Sequence, residues 1–348
     1  MIYLELITMP RPIDERWSTM KEVANLAGVA KITVSRVLRS PDLVSKATRE
    51  KVESAINELG YVPEAAAGAL SSGRSQIVAA NISTLSGSIF LSTINQLSNI
   101  LSTHGIQLIL SNSEYSEEME FQQLSALIAQ RPLGLVLSNA FHNTKRRSML
   151  SRIGCKVIEI WDLPENPIDY AVGFSNFDAG YSMTRFLFKD CCYKKIAFLE
   201  TKQGFDRRSE MRFQGYKDFQ LKHTNEVRAV DLKASGKGNI HDGTVGLNCI
   251  LNKWPDTDAI FCSGDVLAIG AVCEARRRGL RVPKDIAISG FGDIEFSNEY
   301  GIELTTVKVR GEEIGTRVAN IIVGDVEGAF NTNKSIDVGY DIVQRSTT

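Results

Sequence analysis

The 348-residue chain lacks the motifs that mark common enzyme active sites. It contains no serine nucleophile elbow, no P-loop and no glycine-rich dinucleotide fingerprint. Its few histidines are scattered without the spacing of metal ligands, at positions His104, His142, His223 and His241. We therefore expect no enzymatic activity, no catalytic residues, no metal site and no cofactor.

Cysteine pairs and targeting signals are also missing. The six cysteines form no Cys-x-x-Cys motif, which favours reduced thiols in a cytoplasmic protein. Residues 1–17 begin apolar, but they have no basic region before them and no small-residue cleavage site, so they do not resemble a signal peptide. With 43% hydrophobic residues, the composition is that of a soluble globular protein, and we expect no membrane partner.

The sequence does contain a compact helical pattern over residues 19–62. Thr19 and Glu22 form a capping box at the start of a first helix. A glycine-containing turn leads to a second helix over residues 31–38, and a capped third helix ends at Gly60. Two short helices joined by such a turn are the helix-turn-helix unit of DNA-binding proteins.

The string VANLAGVAKITVSRVL at residues 23–38, followed by TREKV at 48–52 and LGYVP at 59–63, resembles the headpiece of the LacI/GalR family of bacterial repressors. The resemblance implies that the second helix enters the major groove of DNA. Base edges would then be met by Lys31, Ile32 and Arg36, with Arg36 pairing with guanine. Phosphates would be met by Thr33, Ser35, Ser45 and Thr48. The predicted DNA-binding set in the head is completed by Thr19 and Met20 at the start of the first helix.

Two features predict that a single head binds DNA weakly. Ala30 stands where the family usually has Ser, and the lost cap should cost roughly 1 kcal/mol at the start of the second helix. Residues 19–74 hold eight Lys/Arg and six Asp/Glu, so their net charge is 8 − 6 = +2. Two heads held together by a dimer would bind usefully through a raised effective concentration.

Residues 63–75 are expected to form a hinge that is disordered when free. The segment is short and contains Gly68, and helices below roughly 12–15 residues are marginal in water. In the family the matching stretch folds on operator DNA, so the resemblance implies that Leu70 wedges into a minor-groove base step. Gly68 and Glu64 depart from the family's usual residues and weaken this contact. A flexible linker remains the alternative.

From residue 76 onward, short β-rich runs alternate with longer helical runs, which favours parallel sheets built of βαβ units. The pattern predicts strands at residues 77–82, 106–110, 134–137, 156–161, 195–199, 227–231, 259–262, 286–289 and 305–309. It predicts helices at residues 90–103, 117–130, 179–189, 212–221, 244–252, 266–278 and 312–323. Periodicity does not distinguish one long sheet from two, but the length of the segment favours two lobes.

Ordered landmarks of this body resemble the periplasmic-binding-protein-like core of the same family. They include GFSNFDAG at 173–180, RFQGY at 212–216 and SGDVLAIGA at 263–271. The resemblance implies an α/β fold of two doubly wound, parallel-sheet lobes joined by three crossover strands, with a small ligand between them. The segments VIEIWD at 157–162 and AVGFSNFD at 171–178 resemble the gluconate-utilisation repressors within the family.

These patterns divide the chain into four parts. They are a disordered extension at residues 1–18, a DNA-binding head at 19–62, a hinge at 63–75 and an effector-binding and dimerisation body at 76–348. The body's lobes are expected at about 76–173 plus 310–332 and about 174–309 plus 333–348. The leucine-heptad tail that tetramerises some relatives is absent, so we predict a homodimer through the body.

Ligands of doubly wound sheets bind beyond the carboxyl ends of the strands, so the residues after each strand line the candidate cleft. Arg212 matches the family's main effector-binding arginine, which grips a carboxylate or sugar hydroxyls. Asp162 matches an acidic residue that accepts from hydroxyls, Ser138 would add a hydroxyl contact and Phe90 an apolar wall. Asp265 is better explained as the N-cap of the following helix. The predicted effector-binding set is Ser88, Phe90, Ser138, Asp162, Arg208, Arg212, Asp265 and Asp293.

Two departures from the family pattern concern the charge of the ligand. Gly264 stands where many relatives have Asn, and Gly292 stands where many have Asp. An acidic group is thereby lost while Arg207, Arg208 and Arg212 remain nearby. The sequence therefore favours an anionic ligand, such as gluconate or a phosphorylated relative, over a neutral hexose.

The leading hypothesis is a homodimeric transcriptional repressor of sugar-acid catabolic genes that binds a near-palindromic operator. A solute-binding protein would share the body, but it needs a signal peptide and has no use for the head. A repressor that responds to a neutral sugar or a nucleobase is a further alternative. A sugar-handling enzyme fails because the sequence offers no catalytic constellation.

Overall fold

The computed structural model of the chain describes residues 17–62, 75–85, 89–140, 143–201, 206–232, 238–298, 301–324 and 334–348. The chain divides into two compact units, residues 1–71 and 72–348. The first unit contains the predicted head and the second contains the predicted body. Leu70 of the predicted hinge and Ser88 of the predicted effector site lie outside the described residues.

The first unit contains three short α-helices. They are α1 (Met20–Ala27), α2 (Lys31–Arg39) and α3 (Lys46–Leu59), and a 3-10 turn (Pro41–Leu43) joins the last two. The apolar face of each helix meets the others in one core. Its buried members are Val23, Ala24, Val34, Val37, Val52, Ala55 and Tyr61.

Local hydrogen bonds define the ends of these helices. The Glu22 N–H donates to Oγ1 of Thr19 over 3.3 Å, and the Thr19 N–H donates to the Glu22 carboxylate over 2.7 Å, which is the capping box that the sequence predicts. Gly60 ends α3 with a φ of 58°, a left-handed conformation that glycine adopts without strain. Each of these two ends was readable from residue type and spacing.

Two residues bear on the stability and on the limits of the head. Ala30 is the N-cap residue of α2 and provides no side-chain hydrogen bond to it, as the sequence predicts. Ser18, which the sequence boundary assigns to the extension, donates its hydroxyl to the carbonyl of Leu59 over 2.8 Å. The ordered head therefore begins before Thr19.

The second unit contains two six-stranded sheets among its described residues. The strands of the first sheet are β1 (Ile77–Ile82), β2 (Gln107–Asn112), β3 (Gly134–Leu137), β4 (Lys156–Ile160), β5 (Tyr170–Gly173) and β11 (Ser335–Asp337). They are parallel and lie in the order β11-β5-β4-β3-β1-β2. The helices of this lobe are α4 (Leu91–Thr103), α5 (Glu117–Ala129), α6 (Thr144–Leu150) and α11 (Gly311–Val323).

The second sheet repeats the arrangement. Its strands are β6 (Ile196–Glu200), β7 (Arg228–Asp231), β8 (Ala259–Cys262), β9 (Ala287–Gly292), β10 (Thr305–Val309) and β12 (Tyr340–Val343), in the order β12-β10-β9-β8-β6-β7. All neighbours are parallel except β10 and β12. The helices of this lobe are α7 (Asn176–Arg185), α8 (Arg207–His223), α9 (Ile240–Lys253) and α10 (Asp265–Arg277). The protein is therefore an α/β protein with two doubly wound lobes, which follow a helical head along the chain.

Both faces of each sheet are covered, as the almost wholly apolar strands require. Successive side chains of a strand point to opposite faces. Val78 and Ala80 belong to the cluster that contains Leu97 of α4, whereas Ala79 belongs to a cluster with Leu124 of α5. Every helix in the described part of the chain is too short or too polar to span a lipid bilayer.

The chain passes between the two sheets after β5, after β10 and after β11. The position of β11 differs from one predicted lobe boundary. Residues 335–337, which the sequence assigns to the second lobe, form β11 of the first sheet, where Ile336 pairs with Val172. This three-residue edge strand is too short to produce a readable alternation of its own.

Some elements differ from the predicted ones, and three of the helices differ for the same reason. The structure adds β5 and α6, and it starts three helices earlier than residues 179, 212 and 244. These helices begin behind the polar caps Ser175, Asp206 and Asn239. Their first turns are polar, so apolar periodicity alone does not include them.

Glycines set the close packing of α7 against α8. A Cβ atom on Gly180 would overlap the carbonyl oxygen of Arg212, and a Cβ atom on Gly215 would overlap the carbonyl oxygen of Phe177. Because neither glycine has a side chain, the two helix backbones come into direct contact. The position of Arg212 in the second lobe depends on this contact.

Candidate functional site

The exposed side of α2 carries the residues predicted to face DNA bases. Lys31, Ile32 and Arg36 are exposed, while Val34 and Val37 of the same helix are buried in the head. Ile32 is 67% exposed, although it is a large apolar residue on a small domain. A helix that buries its valines and exposes three cations and one isoleucine has the form of a groove-reading helix.

Most of the other head residues predicted to contact DNA make hydrogen bonds or packing contacts within the head. Ser45 caps α3, and its hydroxyl lies 2.9 Å from the hydroxyl of Thr48. Thr19 is held in the capping box of α1, and Met20 is partly buried against the head core. Thr33 and Ser35 are partly exposed on α2. The structure thus leaves α2 as the main accessible surface of the predicted set.

A cavity of about 100 Å³ lies beyond the carboxyl ends of strands from both lobes. Of the predicted effector residues, Arg212 and Asp265 line it, and so does Gly264. Its lining comprises Thr84, Ile89 and Tyr115 from the first lobe and Thr201, Asp206, Arg212, Gly238, Ser263, Gly264, Asp265, Val266, Leu267, Phe291 and Ile294 from the second.

Arg212 is a deeply buried cation in the wall of this cavity. Its side chain stands on α8, the residue is only 5% exposed, and burial lowers the pKa of its guanidinium. The guanidinium donates to Oδ1 of Asn176 over 2.7 Å and lies 4.0 Å from the ring centroid of Phe291. Its Nε has no hydrogen-bond partner among the described residues. A buried N–H without an acceptor is costly, and an incoming acceptor would remove that cost.

Asp162 follows β4 and is linked to Arg212 through Asn176. Its Oδ1 accepts from the Leu163 N–H over 2.9 Å and from Nδ2 of Asn176 over 3.4 Å. Its buried Oδ2 has no partner in the described part of the chain. Burial raises the pKa of this carboxyl above the ordinary aspartate value. Asp162 itself does not line the cavity, but Asn176 joins it to Arg212, which does.

Arg208, predicted to bind the effector, instead joins the two lobes. It extends from α8 of the second lobe and donates to the carbonyl of Ser138, at the end of β3, over 2.5 Å. Its guanidinium lies 5.0 Å from the ring centroid of Phe90, and it also hydrogen-bonds Tyr115. Arg208 is 8% exposed and does not line the cavity.

Ser138 and Phe90 also serve contacts within the protein. The hydroxyl of Ser138 accepts from the Ser83 N–H over 2.7 Å and lies 2.8 Å from the Ser83 hydroxyl. Phe90 is buried edge-on against Trp161, with ring centroids 5.0 Å apart. Neither residue lines the cavity.

Asp265 is the first residue of α10 and not its N-cap, so the N-cap interpretation is wrong. The N-cap is Gly264, which offers no side chain. One oxygen of Asp265 accepts from the Thr306 hydroxyl over 2.6 Å, and the other accepts from the Ile294 N–H over 3.0 Å. Burial nevertheless raises the pKa of Asp265 to about 6. Asp265 therefore ties α10 to β10 and to the loop after β9.

Asp293, the last predicted effector residue, is occupied by an ion pair. Its Oδ1 accepts from Arg345 over 2.6 Å and from the Ser297 hydroxyl over 3.2 Å, and it does not line the cavity. No group of His, Cys, Asp and Glu within the described ranges is arranged to hold a metal ion.

The sequence interpretation missed several residues of the site. Tyr115 and Thr201 line the cavity and follow β2 and β6, so the rule that ligands bind after strands would have included them had those loops been considered. Burial raises the pKa of the Tyr115 hydroxyl, which remains a neutral donor. Asn176, which begins α7 three residues after β5, was missed because β5 was not predicted.

Comparison with known protein families identifies both units. A family model for bacterial regulatory proteins of the lacI family matches residues 19–64. A second model, for periplasmic binding proteins and the sugar binding domain of the LacI family, matches residues 77–342. Together they cover most of the chain.

Curated relatives match over almost their whole length. The HTH-type transcriptional regulator IdnR of Escherichia coli (strain K12) is 29% identical over 329 residues, which are 94% of this chain and 98% of the relative. The HTH-type transcriptional regulator GntR of the same strain is 30% identical over 323 residues, which are 93% and 96%.

Solved structures show the same fold. A LacI family transcriptional regulator from Silicibacter pomeroyi matches with a TM-score of 0.85 and 31% identity over 95% of this chain and 99% of that chain. The lac repressor dimer bound to operator and the anti-inducer ONPF matches with a TM-score of 0.77 and 24% identity over 95% and 99%.

The raised pKa of Asp265 predicts a specific dependence of stability on pH. The folded state holds this proton more tightly than the unfolded state, whose aspartate has the ordinary pKa of 3.8. The stabilisation is therefore complete below about pH 4 and is lost as the pH rises through about 6, at about 1.4 kcal/mol per pKa unit. Relative to wild type, Asp265→Asn should gain in free energy of unfolding between about pH 5 and pH 7, measured by urea denaturation.

The matched control is Asp178→Asn, which changes an exposed aspartate on α7. Its difference from wild type should be the same at both pH values. If Asp265→Asn behaved in the same pH-independent way, Asp265 would titrate in the ordinary range and the desolvation argument would be wrong.

Proposed function

The chain belongs to the LacI family of bacterial regulatory proteins, and on this premise we propose that it is a homodimeric repressor of sugar-acid catabolic genes. It recognises a near-palindromic operator with its heads, and a gluconate-type sugar acid in the body cleft changes its affinity for that operator. It acts by binding alone, without catalysis, in the cytoplasm where a bacterial chromosome lies. The observation that carries the ligand part is Arg212, a buried guanidinium on the cavity wall whose Nε has no hydrogen-bond partner among the described residues.

The DNA-reading part rests on the exposed side of α2. Arg36 can pair with O6 and N7 of guanine at once, and Ile32 can contact a thymine methyl group. Lys31 stands one helical turn from Ser35, so both lie along the same side of the helix. Because base contacts and not phosphate contacts carry sequence information, the specificity of the head is assigned to Lys31, Ile32 and Arg36.

Arg36→Ala should weaken binding to the preferred operator by about 1–3 kcal/mol, because a bidentate base contact is lost. The operator is first selected from a randomised palindromic DNA pool with the full chain, and affinity is then measured by fluorescence anisotropy at one fixed salt concentration. Arg39→Ala is the matched control, since Arg39 is an exposed arginine at the end of the same helix.

The control should lose less, and it should lose equally on preferred and unrelated DNA. If Arg36→Ala also weakened both DNAs equally, Arg36 would be a phosphate contact and the assignment of base reading would be wrong.

The effector class follows from what the cleft offers. Arg212 presents a cation on the cavity wall, and Asp162, which Asn176 joins to it, has one carboxylate oxygen without a partner among the described residues. A sugar acid carries both complements, a carboxylate for the guanidinium and hydroxyls for the aspartate. Asp206 and Glu200 already act on the charge of Arg212. A carboxylate would add a direct hydrogen-bond acceptor for the guanidinium, whereas a neutral hexose would add no charge.

Isothermal titration of the full chain should show that gluconate or 6-phosphogluconate binds more tightly than glucose. Arg212→Gln should weaken the binding of the sugar acid by about 1.5–3 kcal/mol, the usual contribution of a hydrogen bond to a charged group. It should affect glucose much less, and circular dichroism checks that the variant is folded. Preferential binding of glucose would overturn the sugar-acid assignment.

The proposal of a dimer is supported by an apolar surface on the first lobe. β2 is the edge strand of its sheet, yet Ile109 and Leu110 on it are 37% and 40% exposed. Leu85 and Leu91, which follow β1 and begin α4, are 64% and 50% exposed. Soluble proteins rarely leave an apolar sheet edge uncovered, so a second copy of this lobe is the proposed cover.

Leu110→Glu should shift the protein from dimer to monomer in analytical ultracentrifugation, because it places a charge in the proposed interface. Operator affinity should fall with it, since one head then binds without the second. Leu221→Glu is the control, because Leu221 is 47% exposed on α8 of the other lobe. A Leu110→Glu protein that remained dimeric would exclude this edge as the interface.

A further inference from the structure

A second cavity lies in the first lobe, at the amino ends of its parallel strands. It is therefore at the opposite edge of the sheet from the cleft cavity, which Arg212 lines. Leu133 precedes β3, Lys156 begins β4 and Tyr170 begins β5, and all three are part of its wall. Its volume is about 450 Å³, compared with about 100 Å³ for the cleft cavity. Small-molecule sites have volumes of roughly 300–1,000 Å³, so this cavity is large enough for a ligand.

The second cavity borders the segment to which the predicted hinge is attached. The N–H of Leu133 donates to the carbonyl of Ile77 in β1 over 2.7 Å. Two residues earlier in the chain, the carbonyl of Arg131 accepts from the N–H of Ser75 over 3.1 Å and from the Ser75 hydroxyl over 3.0 Å. Ser75 is the last residue of the predicted hinge. A ligand that packs against Leu133 would therefore contact the segment that anchors the hinge.

One part of the wall of the second cavity is aliphatic. It is formed by Leu133, Leu150, Ile153 and Ile322, which come from three separate segments of the chain. Leu150 is buried, whereas the other three are only half-buried. Half-buried aliphatic side chains around a concave space offer apolar area that a ligand can remove from water. The ligand of this cavity should therefore have a compact apolar body.

The charged residues of the wall are two lysines and one aspartate. Lys156 donates to the carbonyl of Ile321, in the last turn of α11, over 2.5 Å. Asp169 is engaged by the backbone, because its Oδ2 accepts from the Val157 N–H over 2.8 Å. Lys334 is exposed, and within the described ranges its ammonium makes no ion pair. A lysine ammonium moves on a flexible four-carbon stem, so Lys334 can place its charge over a ligand at the rim.

We propose that this cavity is a second ligand site, which binds a small carboxylate with a compact apolar body. The body packs against Leu133, Ile153 and Ile322, and the carboxylate lies at the rim, within reach of Lys334. A sugar acid fits this wall poorly, because its hydroxyls would face aliphatic side chains. The site is separate from the cleft cavity, since the two share no lining residue, and it does not rest on the proposed sugar-acid effector.

The test uses 2-naphthoate as the probe, because it combines a carboxylate with a rigid apolar body. Its uncharged counterpart, 2-naphthamide, has almost the same shape and serves as the ligand control. Isothermal titration of the full chain should show that 2-naphthoate binds about tenfold more tightly than 2-naphthamide, because only the acid forms a charge-assisted hydrogen bond with an ammonium.

Gly154→Phe should abolish the binding of 2-naphthoate, because the new ring would occupy the cavity. Gly154 is part of the wall, a Cβ atom built on it meets no atom within 4 Å, and its φ lies outside the left-handed region. The fold should therefore accept the larger side chain, which circular dichroism and the Tm check. Gly154→Ala is the matched control, and it should keep the affinity of wild type because it adds only one carbon.

A second pair of variants tests the charge without changing the shape of the cavity. Lys334→Gln should weaken the binding of 2-naphthoate about tenfold, as expected for the loss of a hydrogen bond to a charged group, and that of 2-naphthamide much less. Lys145→Gln is the control, because Lys145 is an exposed lysine on α6 of the same lobe and does not line the cavity. Both lysines are exposed, so this comparison decides the matter even if Gly154→Phe does not fold.

Three results would each overturn the proposal. The first is that 2-naphthoate does not bind the wild-type chain. The second is that it binds a folded Gly154→Phe variant as tightly as wild type, which would place the probe elsewhere, for instance in the cleft cavity. The third is that Lys334→Gln and Lys145→Gln affect its binding equally. Gluconate binding enters none of these comparisons, so failure of the second site and failure of the proposed effector are distinguishable.

Discussion

The arrangement of the body depends on how a guanidinium is held in a nearly closed space. Arg212 is 5% exposed, and desolvation of a charge is costly unless other groups compensate it. Compensation is partial, from the amide of Asn176 and the face of Phe291. Gly180 and Gly215 let α7 and α8 approach closely enough to place the arginine there. Among the described residues, these contacts leave Nε of Arg212 without a hydrogen-bond partner.

The parts of the fold that could be predicted are those in which a short stretch specifies its own structure. The capping box of Thr19 and Glu22, the stop at Gly60 and the buried strands β1, β3 and β8 all follow from residue type and local spacing. β5 and β11 could not be found this way, because they have only four and three residues and owe their extended form to neighbouring strands. Tertiary pairing, which a local pattern does not contain, decides such segments.

The candidate site shows the same limit at the level of single side chains. The rule that ligands bind after strands points to the region where the cavity lies, and it singles out Arg212 and Asp265 on its wall. The same rule selected Arg208 and Asp293, whose charges are used by Ser138 and Arg345. Sequence indicates which residues reach the end of a sheet. It does not indicate which of them already have partners there, because those partners come from distant segments.

The two helices assigned to ligands, α2 for DNA and α10 for the effector, both begin without a side-chain cap. A cap would stabilise each helix but would also use the N–H groups that an external phosphate or carboxylate requires. A missing cap is not sufficient to mark such a site, since α4 and α11 also lack one. At α10 the uncapped start is also part of the cavity wall, which Gly264, Asp265, Val266 and Leu267 line. An uncapped start lowers local stability, a cost that proteins tolerate where function requires it.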